Sequence, residues 1–303
     1  MGTAGHQLKT TLSAVVCLLC IPVFAQPIQV TVVYTSEAGP YTEAVESLRA
    51  TLGKMPLMLV DLQSPSSQAQ LASSLQRGSS RLIITIGGDA LDAVTAHNLD
   101  VPLVASMIMR SERARGPRLA ATIHLDIPLA DILAELKNMF PQKTRVAIIR
   151  NPALAGQVDN AALARARQQG FTVQVTDCSK PEELLRVVHS LKGQVDFVLC
   201  LPDSTLYNGT TVKPLILASL ESRLLIVGFS QSFVRAGAAV GVYPDFRDIG
   251  AQTAELAERQ LAGQTVTAEE GPRKVVVAVN QRVIRLLGVE YGPRRGAEVV
   301  TLR

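Results

Sequence analysis

The stretch Asp196-Phe-Val-Leu-Cys-Leu-Pro-Asp203-Ser-Thr205 decides how the rest of the chain reads. Phe197 to Leu201 is a continuous apolar run, the pattern of a strand buried on both faces of a parallel sheet. Pro202 ends the ladder because it has no N–H to donate. Asp203, Ser204 and Thr205 then stand at the carboxyl end of the strand, the edge where ligands bind in parallel α/β sheets. A plain capping role before the next helix accounts for Asp203 and Ser204 as well. A second strand end of the same kind, Ile83-Ile-Thr-Ile-Gly87-Gly88-Asp89, lies in the other half of the chain. That pairing favours a site, with two sheets facing each other across a cleft.

Upstream of the anchor the pattern alternates strand and helix. Strands are expected at Ile28–Tyr34, Leu57–Leu62, Leu82–Ile86, Pro102–Met107 and Ala121–Leu125. Helices are expected at Thr42–Leu52, Gln68–Arg77 and Ala90–Ala96, and Arg110–Pro117 reads as a loop. Around Asp126-Ile-Pro128 the cycle restarts. Helix Leu129–Phe140, strand Arg145–Ile149, helix Ala161–Gln169 and strand Thr172–Thr176 follow. Ser179-Lys-Pro-Glu182 reads as a capping box opening a helix to Leu191. Beyond the anchor come a helix at Thr211–Glu221 and a strand at Leu224–Val227. This alternation means βαβ units and parallel sheets. The last stretch breaks the symmetry, with strand Ala238–Tyr243, helix Phe246–Leu261, strand Lys274–Val279 and helix Gln281–Leu287. A single lobe needs no more than about five strands, so these extra elements are expected to cross back between lobes.

The fold class is therefore α/β, two doubly wound parallel-sheet lobes joined by a multi-stranded hinge. Residues 26–124 with roughly 244–272 make the first lobe, and 125–243 with roughly 273–303 the second. Hinges are placed near Ala121–Asp126, near Val242–Asp245 and before Lys274. Several crossings give a stiff hinge suited to closure around a ligand.

Residues 1–25 stand outside this pattern. Lys9, the apolar run Leu12 to Phe24, and Val23-Phe24-Ala25 with small residues at −3 and −1 form a secretory signal peptide cleaved before Gln26. The run is too short for a membrane span of about 20 residues. Val16 and Leu19 before Cys17 and Cys20 argue against lipidation. After cleavage 29 basic and 26 acidic residues remain, a net charge of +3. Apart from Arg110, Arg113, Arg115, Arg118 and Arg294-Arg295 the bases are scattered and lack interleaved aromatics, so nucleic acid is excluded as a partner. With no Trp and 4% aromatics, Trp-platform carbohydrate sites are excluded too.

Catalysis finds no support. His97, His124 and His189 have no His or Cys partner at metal-ligand spacing. Gly228-Phe-Ser-Gln-Ser232 lacks the second glycine of a nucleophile elbow, and Gly87-Gly88 is neither a dinucleotide fingerprint nor a P-loop. No cofactor is expected. Cys178 and Cys200 would lie on strands flanking a third, their Cα atoms about 9–10 Å apart, too far for a disulfide.

Several segments recur in order in one family: Tyr34-Thr-Ser-Glu-Ala-Gly-Pro-Tyr41, Thr85-Ile-Gly-Gly-Asp-Ala-Leu91, Arg150-Asn-Pro152, Leu201-Pro-Asp-Ser-Thr205, Gly228 to Ala238, Asp248 to Ala257, and Val279-Asn280. The sequence resembles the ABC-transporter substrate-binding family that includes tryptophan- and tyrosine-type binding proteins, with the type I periplasmic-binding fold. The resemblance covers nearly all of the chain beyond the signal peptide. It implies a periplasmic, monomeric protein that closes two lobes on a small molecule, often an amino acid, and delivers it to an ABC permease in the inner membrane. An alternative is a ligand sensor or envelope adaptor of the same fold without a transport partner.

The resemblance places ligand contacts at Ser36, Tyr41, Gly87, Gly88 and Asp89 on one lobe and at Asn151, Asp203, Ser230 and Phe233 on the other. Gly87 and Gly88 would let backbone approach a carboxylate at a helix start, and Asp203 would pair with an ammonium. Tyr41 and Phe233 would sandwich an apolar side chain, while Ser36, Asn151 and Ser230 orient the ligand. Two departures stand out. Asp89 replaces the family's Thr-Pro or similar, and a carboxylate there repels a ligand carboxylate. Met107-Ile-Met-Arg110 replaces an Asp-Pro stretch. A cationic or neutral solute is thus as admissible as an amino acid.

Overall fold

A computed structural model describes residues 30–37, 39–76, 80–110, 118–154, 158–264, 268–292 and 298–300, together with Gly2. Apart from Gly2 the expected signal peptide, with residues 111–117 of the arginine-bearing loop and Arg294-Arg295, lies outside the described residues.

The first sheet is built from β1 (Val30–Tyr34), β2 (Leu57–Asp61), β3 (Leu82–Ile86), β4 (Leu103–Ile108), β5 (Leu119–His124) and β11 (Ala268–Glu270), in the order β11-β5-β4-β3-β1-β2. Every pairing in it is parallel. β3 and β4 are buried along their whole length, as strands covered on both faces must be. On one face lie α1 (Gly39–Leu52) and α9 (Phe246–Leu261), packed over Val30, Val32, Leu82 and Ile84. On the other lie α2 (Ser67–Ser74) and α3 (Gly88–Thr95), against Val33, Ile83 and Ala105.

The second sheet has the order β13-β12-β10-β9-β8-β6-β7. Its strands are β6 (Arg145–Arg150), β7 (Thr172–Asp177), β8 (Phe197–Cys200), β9 (Leu225–Gly228), β10 (Val240–Pro244), β12 (Val275–Asn280) and β13 (Glu298–Val300). The anchor strand β8 is interior to the sheet, fully buried, and paired in parallel with β6 and β9. The β10–β12 pairing is antiparallel, and β13 pairs in parallel with β12, so β12 and β13 run opposite to the rest. α4 (Leu129–Met139), α5 (Asn160–Gln168) and α10 (Gln281–Leu287) cover one face. α6 (Leu184–Ser190), α7 (Val212–Glu221) and α8 (Gln231–Ala236) cover the other.

The chain passes between the sheets three times: over residues 125–128, at Asp245, and over residues 271–274. Each passage is tied down. The Arg110 N–H donates to Asp126 Oδ2 at 2.6 Å. Asp245 caps α9, its Oδ1 accepting from the Arg247 and Asp248 N–H groups. At the third passage the buried Gln252 donates to Glu270 Oε2 at 2.5 Å and to the Gly271 carbonyl at 3.2 Å. Arg273 reaches Glu255 at 2.5 Å, and Lys274 reaches Asp248 at 2.7 Å.

Two expectations need correction. Ser179-Lys-Pro-Glu182 forms no capping box: a 3-10 turn at Pro181–Glu183 precedes α6, with Lys180 at the cap position and no side-chain cap bond. Pro181 prefers the first helical position, which shifts the cap one residue beyond Ser179. Asp203 does not cap the following helix either, since turns and bends fill 204–211 and α7 opens at Val212. Cys178 and Cys200 are free and buried, on β7's end and β8, with β6 between them.

Candidate functional site

The carboxyl ends of β1 and β3 carry Ser36 and Gly87–Asp89. Ser36 is exposed, and its N–H donates to Asp61 Oδ1 at 3.0 Å. Gly87 is the N-cap of α3 with φ +91° and ψ 164°, a conformation essentially confined to glycine. Its N–H donates to the Ser106 carbonyl at 2.8 Å. The ring of Tyr41, in the first turn of α1, packs so tightly there that a Cβ on Gly87 would lie 2.8 Å from Tyr41 Cζ. Gly88 is half-buried. Asp89 stands exposed in the first turn of α3.

The neighbouring strand β4 carries a backbone irregularity. Its register with β5 slips between Ser106 and Ile108, and Met107 between them has φ 59°. A buried non-glycine residue in that region marks a bulge that redirects the strand end. Nothing in the residue types around Met107 announces it.

On the second sheet Asn151 follows β6, and its Oδ1 accepts from the Ala153 N–H at 3.0 Å. Ser230 is the N-cap of α8 and accepts from the Phe233 N–H at 3.3 Å. Its hydroxyl also meets Ser232 Oγ at 2.9 Å. Phe233 is buried, edge-on to Tyr207 at 5.8 Å and tilted to Phe229 at 5.1 Å. Phe229, half-buried one residue after β9, is the more open ring of the pair.

Asp203 has an unusual environment. It is 7% exposed. Its Oδ1 accepts from the Thr205 and Leu206 N–H groups at 2.8 and 3.2 Å. Oδ2 is buried without a partner among the described residues. Burial drives the neighbouring Tyr207 hydroxyl well above its ordinary titration range, with Cys200, Asp203 and Cys178 adding to the effect. Tyr207 is thus a neutral donor, and its hydroxyl bonds the Ile149 carbonyl at 3.2 Å.

Two of the cavities at these strand ends border the passages between the sheets. One, about 520 Å³ in volume, is walled by Gly39, Pro40 and Glu43 of α1 and by Ser230, Gln231 and Arg235 around α8, with Tyr243 to Phe246 of the second passage at its back. The rings of Tyr243 and Phe246 stack there at 6.3 Å. The other, about 70 Å³, lies between the first passage and the ends of β8, β9 and β10. The structure gathers Asn151, Asp203, Ser230 and Phe233 on one carboxyl edge and Ser36, Tyr41, Gly87, Gly88 and Asp89 on the other. Sequence reasoning missed Phe229 and Asp126, both lining the smaller cavity, although each adjoins a strand end already picked out.

Two largely parallel sheets, helices on both faces of each, a thrice-crossing chain and a cavity walled from both sides define a two-lobed, type I periplasmic-binding-protein fold. A family profile described as ABC transporter substrate binding protein matches residues 61–292, and the chain belongs to that family. Its fold is similar to that of a ligand-free, open substrate binding protein with adhesive properties from Clostridium difficile, with TM-score 0.70 and 15% identity over 91% of this chain and 100% of that one. A Streptococcus pneumoniae ABC domain in complex with L-Trp gives TM-score 0.61 and 15% identity, again over 91% and 100%. A conserved domain protein from Vibrio cholerae gives 0.61 and 16%, over 90% and 99%. At these identities the likeness carries the fold alone. Comparison with curated proteins finds no match. The family's role is solute binding rather than catalysis, it works with an ABC permease, and it is typically extracytoplasmic. No helix among the described residues is long and apolar enough to cross a membrane.

Proposed function

We infer that this protein is a periplasmic, monomeric solute receptor that closes its two lobes on a small molecule and delivers it to an ABC permease of the inner membrane. The observation that carries this reading is the 520 Å³ cavity walled by α1 on one sheet and α8 on the other. It falls within the roughly 300–1,000 Å³ usual for small-molecule sites. Residues 26–124 with 244–272, and 125–243 with 273–303, act as the two moving bodies.

Ser36, Tyr41, Gly87, Gly88 and Asp89 contribute contacts from the first lobe, and Asn151, Asp203, Ser230 and Phe233 from the second. Closure withdraws these groups from water and so strengthens each polar contact. The ties at the three passages hold the bodies in register while the lobes move.

The test is native mass spectrometry of the purified mature protein, followed by thermal shifts with amino acids, amines, nucleosides and small sugars. A ligand at 100 times its Kd adds about 2.7 kcal/mol of stability, a visible shift. A folded monomer that retains no small molecule and responds to none of them would favour the adaptor reading instead.

A further inference from the structure

The smaller cavity, about 70 Å³, is lined at its depth by the buried residues Leu129, Ile132, Leu199, Cys200, Leu201 and Val242. Its half-buried members, Leu125, Asp126, Ile127 and Phe229, frame the entrance. A single water needs roughly 10–15 Å³ by the same measure, so the space holds roughly five to seven non-hydrogen atoms. Among the described residues, nothing in this lining comes from β1 to β5 or from α1, α2, α3 and α9. The larger cavity, by contrast, has Gly39, Pro40 and Glu43 of α1 as one wall. A molecule in the smaller space is therefore held by the second sheet and the passages alone, and needs no closure of the lobes.

The walls set its chemistry. Apolar side chains on nearly every side make burial of a charge costly. Among the described residues, Asp126 is the only lining side chain that carries an oxygen or nitrogen. Its Oδ2 already accepts from the Arg110 N–H at 2.6 Å, which leaves Oδ1 to accept from a ligand. An alcohol brings one O–H donor, which that single acceptor satisfies, whereas an ammonium brings three. A carboxylate would lie against the like charge of Asp126 and be disfavoured.

Going beyond solute binding, we propose that this cavity is a second site, which takes an uncharged aliphatic alcohol of roughly four to six carbons. Its hydrocarbon chain fills the space behind Ile127 and Phe229, and its hydroxyl donates to Asp126 Oδ1. Leu125 to Ile127 belong to the first passage, and Val242 and Pro244 lead into the second. The occupant thus bridges two of the three connections between the sheets and stiffens both.

The test is NMR titration of the full mature chain with straight-chain alcohols from 1-propanol to 1-octanol, and with pentylamine and pentanoate. Affinity should rise about fourfold with each buried methylene as far as 1-pentanol or 1-hexanol, and rise no further at 1-octanol. 1-Pentanol should bind more tightly than either charged analogue. With 1-pentanol present, hydrogen exchange should slow at the amides of residues 125–127 and 242–243, and not along α1 and α8. Ile127→Phe, at the half-buried entrance, should hold its melting temperature and lose the binding. Val242→Ala, which widens the cavity, should move the chain-length limit to longer alcohols. Affinity that keeps rising through 1-octanol, tighter binding of pentylamine or pentanoate, or slowed exchange along α1 and α8 instead would each overturn the proposal. So would undiminished 1-pentanol binding in Ile127→Phe, or an unchanged limit in Val242→Ala. Failure of every alcohol to saturate the protein overturns it as well, and leaves the solute reading standing.

Discussion

Gly250 of α9 touches the backbone of Ala44 on α1: a Cβ at Gly250 would lie 2.2 Å from the Ala44 carbonyl oxygen and 2.9 Å from Ser47 Cβ. The two helices come this close because position 250 carries no side chain. Around that contact Ser47 Oγ donates to the Arg247 carbonyl at 2.7 Å, and Arg247 Nε donates to Glu43 at 2.8 Å. α9 follows the second passage between the sheets, so this contact fastens a late segment of the chain to its first helix.

Gly250→Ala must therefore push two helix backbones apart. Overpacking of this kind destabilises by about 1–3 kcal/mol or more, and urea denaturation should show a loss at the upper end of that range. Leu286→Ala, at a position 70% exposed on α10, should stay within about 0.5 kcal/mol of the parent. Equal midpoints for the two variants would show that the helix contact yields freely.

Gly87→Ala meets two separate obstacles, the glycine-only backbone and the Tyr41 ring. The backbone part alone is of order 1–3 kcal/mol. Tyr41→Ala relieves only the steric part, so the double variant should be less destabilised than the sum of the singles. Strict additivity in that cycle would mean that Tyr41 does not press on Gly87.

His124 supplies a pH dependence. It is buried at the end of β5, 3% exposed. Burial, then the Arg110 charge, hold its pKa below the ordinary 6.5, with Asp126 and Glu269 acting in the opposite sense. The unfolded chain therefore takes up a proton before the folded one does. Stability from this group is complete above about pH 6.5 and falls as the pH drops toward the folded pKa, by at most about 1.4 kcal/mol per pH unit. His124→Gln should flatten the melting-temperature profile between pH 7 and 5. A second decline below about pH 4 should survive that substitution. It comes from Asp196, whose burial raises its pKa but whose hydrogen bonds from Arg145 outweigh this and leave it lowered.

The thiols should be silent in the native protein. Burial pushes Cys200 up to about 12 and raises Cys178 as well, so at pH 8 only about one Cys200 in ten thousand would be thiolate. A thiol-reactive chromophore should label neither cysteine in buffer and both in urea, with no mass change on reduction. Rapid native labelling at a single site would place that cysteine outside the core.

Much of the architecture was open to reading because buried parallel strands and amphipathic helices leave long periodic marks. α9 and α10 run over the residues expected, and the unbroken apolar run at Phe197–Cys200 is a buried interior strand of its sheet. The features that escaped are short or non-local. α8 has six residues and β11 and β13 three each, too few to show a period. The bulge at Met107 and the Gly250–Ala44 contact depend on partners far along the chain. The site was legible as a set of strand ends, since Pro202-Asp203 and Gly87-Gly88 punctuate their strands. The smaller cavity was not, because its walls come from residues 125–132, 199–202, 228–229 and 242–244, and only folding brings them together.

The buried hydrogen bond between Ser106 and Thr253, 2.7 Å long across 147 positions, has a consequence for the order of assembly. A polypeptide emerging from a ribosome presents β1 to β5 first. Until α9 and β11 arrive, the face formed by Val104, Met107 and Ile123 lacks its cover, and β5 lacks its outer neighbour. The leading lobe cannot finish before nearly nine-tenths of the chain has appeared. Contacts of such separation fold slowly. Slow completion of this kind means that the topology itself delays compaction of the first sheet until most of the chain has been made.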